Sequence, residues 1–158
     1  MAVEIIGRGN VNVTKAHLDG AFVTKMGILA KPYKYMFCKA IKRIQNGKTI
    51  PKFMMDAVMG KDNNSIIEML YPDITSNTIE NACEFVYRYN IPENMRCYKG
   101  TVLFWRGSNE QYPRKSVALL KKYLPAVIDV EIEHMGHGQY LHEHSDEYAS
   151  KLIEYLQS

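Results

Sequence analysis

Apolar and polar positions follow three different rhythms along the chain, and each predicts a different element. Thr101 to Trp105 (TVLFW) is apolar almost without interruption, as a strand buried on both faces should be. Ile128, Val130 and Ile132 alternate with Asp129, Glu131 and Glu133, the period of a half-exposed strand at a sheet edge. Val11 to Leu18 (VNVTKAHL) opens with β-branched residues and runs into the turn residues of LDG, so it reads as a third strand. Helical spacing marks other stretches. Ile79, Ala82, Cys83, Val86 and Tyr87 form one stripe between Asn77 and Tyr89, with Asn77 and Glu80 spaced as a capping box and Pro92 ending the run. Pro113 to Leu124 is a helix with Val117, Leu120 and Leu124 on one side. Ser145 can cap a final helix, with Asp146 and Glu147 in its first turn and Tyr148, Leu152, Tyr155 and Leu156 as its inner stripe. Strand, helix, strand, helix implies parallel strands joined by right-handed crossovers. The fold class is α/β, with a helical insertion between the first and second strands.

That insertion, Gly20 to about Tyr71, reads as short helical pieces broken by Pro32, Gly47, Pro51 and Gly60. Six of the nine methionines fall in it: Met26, Met36, Met54, Met55, Met59 and Met69. Methionine fills irregular gaps and adapts to varied partners, which suits either a mobile cover or a loosely specified core.

Composition narrows the class. A chain of 158 residues with 46% hydrophobic and 23% charged residues is one ordinary globular domain. No apolar run approaches the ~20 residues needed to span a bilayer, and MAVEIIGRGN has no signal-like apolar stretch. Cys38, Cys83 and Cys97 are too widely spaced for a disulfide framework or a CxxC metal site, so a cytoplasmic protein is expected. Charge is uneven. Eight basic and no acidic residues lie between Gly20 and Met55, whereas seven acids against Lys151 alone follow from Asp129. The aromatics Tyr33, Tyr35 and Phe37 interleave with the bases, but no nucleic-acid signature accompanies them. The basic run reads as a solvated helix face, and neither nucleic acid nor membrane is an expected partner.

In an open parallel sheet, ligands bind beyond the carboxyl ends of the strands. Asp19 follows the first strand, Gly107-Ser108-Asn109-Glu110 the second, and His134-Met135-Gly136-His137-Gly138 the third. A carboxylate beside a histidine can fix the imidazole tautomer and stabilise its protonated form while the ring accepts a proton from a nucleophile. Glycines around His137 let the backbone turn sharply.

The stretch from Thr101 to Leu156 runs strand, G-x-x-acid, helix, strand, G-H and a last helix, and in that order it resembles the C-terminal end of the α/β-hydrolase family. AHLDGAF, Ala16 to Phe22, resembles the strand that follows the nucleophile helix in small members of the family, and MAVEIIGRG the end of that helix. The resemblance implies a partial α/β-hydrolase-like sheet of about three parallel strands with a helical cap insertion. Residues 1–19 would be the end of the nucleophile helix and the first strand, 20–90 the cap, and 91–158 the core with the acid and histidine loops. It also implies an esterase-type parent with a Ser-His-acid triad, in which His137 is the general base and Glu110 the acid. Asp19 is an alternative acid, since it too ends a strand. No cofactor or metal is implied, and the substrate would be a small ester-like molecule.

The departure from the family is as informative as the match. These residues contain no G-x-S-x-G, the nucleophile elbow such an enzyme needs. Ser108 sits inside the acid loop and is a poor substitute. The expectation is a C-terminal portion, inactive alone, from a truncated reading frame or a split gene. Its open strand edge at Val11 to Leu18 would recruit a complementing N-terminal half or a second copy of the chain as a homodimer. A non-catalytic interaction module is the alternative reading. Zinc is a weaker one. His134, His137, His142 and His144 lie close in sequence, yet H-x-x-H and H-x-H without cysteines match no closed zinc site. His142 and His144 read as exposed residues before the last helix, and Trp105 as a core residue rather than a pocket wall.

Overall fold

The computed structural model describes residues 2–52 and 74–158. In chain order the elements are helix α1 (Ala2–Arg8), strand β1 (Lys15–Asp19), a 3-10 turn (Gly27–Leu29), helix α2 (Ala30–Gln45), helix α3 (Ser76–Tyr87), a 3-10 turn (Glu93–Cys97), strand β2 (Thr101–Gly107), helix α4 (Gln111–Leu120), strand β3 (Ile128–Ile132), helix α5 (Gln139–Glu143) and helix α6 (Ser145–Gln157). The described chain divides into two units. One joins Met1–Val23 to Asn90–Ser158, and the other is Thr24–Tyr89. Among the described residues no helix is long and apolar enough to cross a membrane.

The first unit is built on three parallel strands in the order β1-β2-β3. Strand β2 is central, which explains its unbroken apolar run: Val102 and Phe104 point to one face, Leu103 and Trp105 to the other, and all four are buried. Trp105 and Leu103 pack with Tyr140, and Tyr148, Leu152 and Tyr155 of α6 close over them. Lys15 ties the end of α6 to β1, its ammonium donating to the carbonyls of Tyr155 and Leu156. A cation at a helix C-terminus both satisfies unpaired carbonyls and opposes the helix dipole.

Several boundaries differ from the sequence reading, each for a local reason. Strand β1 begins at Lys15, not Val11, because its partner begins at Thr101 and the register sets Lys15 against Thr101. Val11 and Asn12 lie beyond the ladder, and Val11 is exposed. Strand β2 continues two residues past Trp105. Arg106 stays in the sheet because Asp129 and Glu131 on β3 pair with its guanidinium. Helix α4 ends at Leu120, after which a turn still buries Leu124. In α6, Ser145 is the first helical residue and caps nothing, and Leu156 is half exposed instead of lying on the inner stripe.

In the second unit, α2 runs unbroken through Pro32. The ring falls in the first helical turn, where the missing N–H would have had no intrahelical partner. Helix α3 is capped by Thr75, whose hydroxyl oxygen accepts the Thr78 N–H at 3.1 Å, and not by Asn77. Ile41, Ile79 and Cys83 form the core between α2 and α3, with Phe37, Cys38, Ile74 and Tyr87 around them. Lys34 and Glu84 bridge the same helices at 2.6 Å. Met54, Met55, Met59 and Met69, four of the six methionines that suggested a mobile cover or a loosely specified core, lie outside the described residues.

Candidate functional site

Parallel pairing puts the carboxyl ends of all three strands on one side of the sheet. The register sets Asp19 opposite Trp105 and Gly107 opposite Ile132, so the three loops that follow emerge as neighbours. The Gly107–Glu110 loop is a tight turn, closed by the Glu110 N–H donating to the Gly107 carbonyl at 3.1 Å. It returns the Glu110 side chain over the strand end, where it is 6% exposed. One carboxylate oxygen accepts the Gly107 N–H at 2.7 Å. The other lies 2.8 Å from Nδ1 of His137.

Because a carboxylate oxygen accepts, Nδ1 is the donor, and in the neutral ring Nε2 is then the basic nitrogen. The carboxylate therefore selects one tautomer. It also holds the His137 pKa above its ordinary value, first through that hydrogen bond and then through its charge, outweighing the desolvation that acts against it. Asp19 adds a smaller push in the same direction.

Gly20 is what allows this approach. A Cβ there would stand 2.5 Å from Nδ1 and 2.8 Å from Cε1 of His137, and 3.1 Å from Oε1 of Glu110. The residue also sits at φ +53°, in the left-handed region that favours glycine. The sequence shows the glycine after Asp19 as a turn residue. That it lies directly against the Glu110 carboxylate and the His137 ring becomes visible only in three dimensions.

Asp19 takes a different partner. Its carboxylate accepts the Tyr148 hydroxyl at 3.1 Å. Burial raises the Asp19 pKa, while that hydrogen bond and the nearby His17 and His137 oppose the rise. Burial and the Asp19 charge push the Tyr148 phenol well up. His17 stacks edge-on against Trp105 at 4.6 Å between ring centroids, and burial lowers its pKa. Tyr148, assigned from the sequence only to a core stripe, therefore also reaches the strand ends. Trp105 is a core residue, 4% exposed. Ser108 is committed to its turn: its hydroxyl oxygen accepts the His134 N–H at 2.8 Å. His142 and His144 are exposed. Among the described residues no three His, Cys, Asp or Glu side chains converge as metal ligands would.

No family model and no curated protein matches the sequence. Solved structures do match. An α/β-hydrolase family protein of Desulfitobacterium hafniense superposes over 99% of this chain and 64% of its own, with TM-score 0.79 and 24% identity. An esterase of Exiguobacterium antarcticum matches 99% of this chain and 62% of its own, at TM-score 0.62 and 16% identity. The enol-lactonase of Burkholderia xenovorans LB400 matches 99% and 61%, at TM-score 0.63 and 11% identity. The fold is that of the α/β-hydrolases. The chain spans less than two thirds of each of these proteins, as a C-terminal portion of that fold would.

Proposed function

We propose that the chain carries the acid and the base of a hydrolase triad, in a protein that cleaves small ester-like substrates. Glu110 is the acid, His137 the general base, and the nucleophilic serine comes from outside these 158 residues. The observation that carries the reading is the 2.8 Å contact from Nδ1 of His137 to a buried carboxylate whose second oxygen is held by a backbone N–H. The pair is thereby set in orientation and tautomer before any substrate arrives.

In this mechanism Nε2 of His137 accepts the serine proton as the oxygen attacks the ester carbonyl, then returns it to the leaving alcohol. Glu110 stays ionised and stabilises the imidazolium formed in between. Asp19, bonded to Tyr148, is not the orienting acid but contributes to the same field. Strand β1 pairs only with β2 among the described residues, and its open edge is where the complementing part of the hydrolase sheet adds. In chain order the unit Thr24–Tyr89 corresponds to the helical cap of such hydrolases. Without the serine the chain alone has no acyl-transfer activity.

The test is the titration of His137 by NMR in the chain and in Glu110→Gln. The unaltered ring should titrate above the ordinary histidine value of about 6.5, and the variant should return it toward that value. A histidine with a raised folded pKa contributes stability that is complete below its unfolded pKa and is lost as pH rises through the folded one. Glu110→Gln should therefore flatten the fall in stability above about pH 6.5. Identical midpoints in the two proteins would remove the acid from Glu110.

A further inference from the structure

The histidine loop carries an unusual backbone. His134 has φ +59° and is the only non-glycine residue in the left-handed region among the described residues. A side chain with a Cβ persists there only when its surroundings over-determine it. Here both of its backbone polar groups are held by side chains of the acid loop. The His134 N–H donates to the Ser108 hydroxyl oxygen at 2.8 Å, and the His134 carbonyl accepts from the Asn109 side-chain amide at 3.2 Å.

The clasp continues on either side. The Ser108 N–H donates to the Ile132 carbonyl at 2.9 Å and the Asn109 N–H to the Met135 carbonyl at 3.1 Å. Gly107 packs so closely on the Met135 carbonyl that a Cβ would not fit. Arg114 reaches from α4 to the Ser108 carbonyl at 3.1 Å and to Glu131 at 3.3 Å. The segment from Ile132 to the buried Tyr140 thus has His134 pinned at one end, and His137 stands three residues further on. A change of torsion at His134 would re-aim the imidazole, whereas Glu110 is fixed separately by Gly107.

We propose that Ser108 and Asn109 are positioning residues for His137, their side chains clamping the strained His134 backbone so that the histidine loop delivers its ring to Glu110. Neither touches the reacting atoms. The proposal rests on Glu110 and His137 being the acid–base pair, and the experiment separates its failure from the failure of that reading.

The readout is the His137 titration midpoint, followed by NMR in the whole chain, because a merely structural loop bond would not move it. Glu110 and Asp19 are the charged groups acting on His137, with His17 and Tyr148 acting on Asp19 in turn. All four are kept in every clasp variant. Ser108→Ala combined with Asn109→Ala is expected to move the midpoint roughly halfway or further from its raised value toward about 6.5. Adding His134→Gly should bring it back, since glycine occupies the left-handed region without the clamp. Asn109→Ala alone, at an exposed side chain, gives a smaller shift in the same direction and serves if the double variant does not fold.

A midpoint unchanged in these variants overturns the proposal. So does a lowered midpoint that His134→Gly fails to restore, because the clamp would then not act through His134. Glu110→Gln measured alongside reports on the underlying pair: if that variant leaves the midpoint unmoved, the acid–base reading fails and the clasp with it. A shift in Glu110→Gln but none in the clasp variants removes the clasp alone.

Discussion

Replacing Gly20 by alanine is expected to dismantle the Glu110–His137 pair while leaving the sheet in place. The new methyl would stand 2.5 Å from Nδ1 and 2.8 Å from Cε1 of His137, inside any tolerable contact. The backbone cannot easily retreat, because the Gly20 N–H donates to the Trp105 carbonyl at 2.8 Å and extends the β1–β2 ladder. Glu110 cannot move far either, being buried against Gly107. The His137 side chain is 59% exposed, so the cheapest relief is for the imidazole to swing into water. Alanine at φ +53° adds strain of about 1–2 kcal/mol. Together with a buried carboxylate left short of one partner, the loss should total roughly 2–4 kcal/mol in urea unfolding. The diagnostic result is the His137 midpoint, which should drop to the value of an ordinary solvated histidine. A Gly20→Ala protein whose His137 titrates as before would mean that the ring does not rest on Gly20.

Trp105→Ala should give the largest loss of stability, about 3–5 kcal/mol by equilibrium urea unfolding. The indole is 4% exposed at the centre of the face that α5 and α6 cover. It meets Tyr148 at 4.9 Å and Tyr140 at 5.9 Å between ring centroids, both edge-on, as well as His17. Collapse into the space is limited, since Tyr148 is tethered to Asp19. Part of a domain's whole stability of 5–15 kcal/mol would disappear with one side chain. Trp105→Phe, which keeps an aromatic edge for Tyr148, should retain more than half of what alanine removes. A loss below about 1 kcal/mol for Trp105→Ala would show that the strand face is not packed as described.

Much of the fold is legible in the sequence where burial pattern and element coincide. The TVLFW run belongs to the central strand. Val117, Leu120 and Leu124 are all buried, whereas of the stripe read at Ile79–Tyr87 only Ile79 and Cys83 are buried, with Val86 and Tyr87 half-buried and Ala82 exposed. Legibility fails where a partner decides. Val11 has strand-like chemistry, but among the described residues no strand pairs with it, since β2 starts only at Thr101. Pro32 looks like a helix breaker until its place in the first turn of α2 is known. Asn77 and Glu80 have capping-box spacing, yet Thr75 lies two residues earlier with the extended backbone a cap requires.

The site divides in the same way. That loops following three strands would converge can be read from the order of strands and helices, because parallel strands end on one side. Which carboxylate meets His137 cannot, since Asp19 and Glu110 both stand at strand ends. Spatial features separate them: the turn that folds Glu110 back over Gly107, the bare Cα of Gly20, and the Tyr148 hydroxyl that takes Asp19. The left-handed His134 has no signature in EHMGHG at all, because its backbone is held by side chains 25 and 26 residues away in the acid loop.

A serine supplied from outside these residues should complete the site with His137 and Glu110. A hydrolase front segment carrying a G-x-S-x-G elbow, fused ahead of this chain, should form a folded protein that hydrolyses short p-nitrophenyl esters. Turnover should need the serine of the elbow and fall by roughly a thousandfold or more on His137→Ala. A folded fusion whose serine-dependent turnover survives His137→Ala undiminished would show that His137 is not the general base.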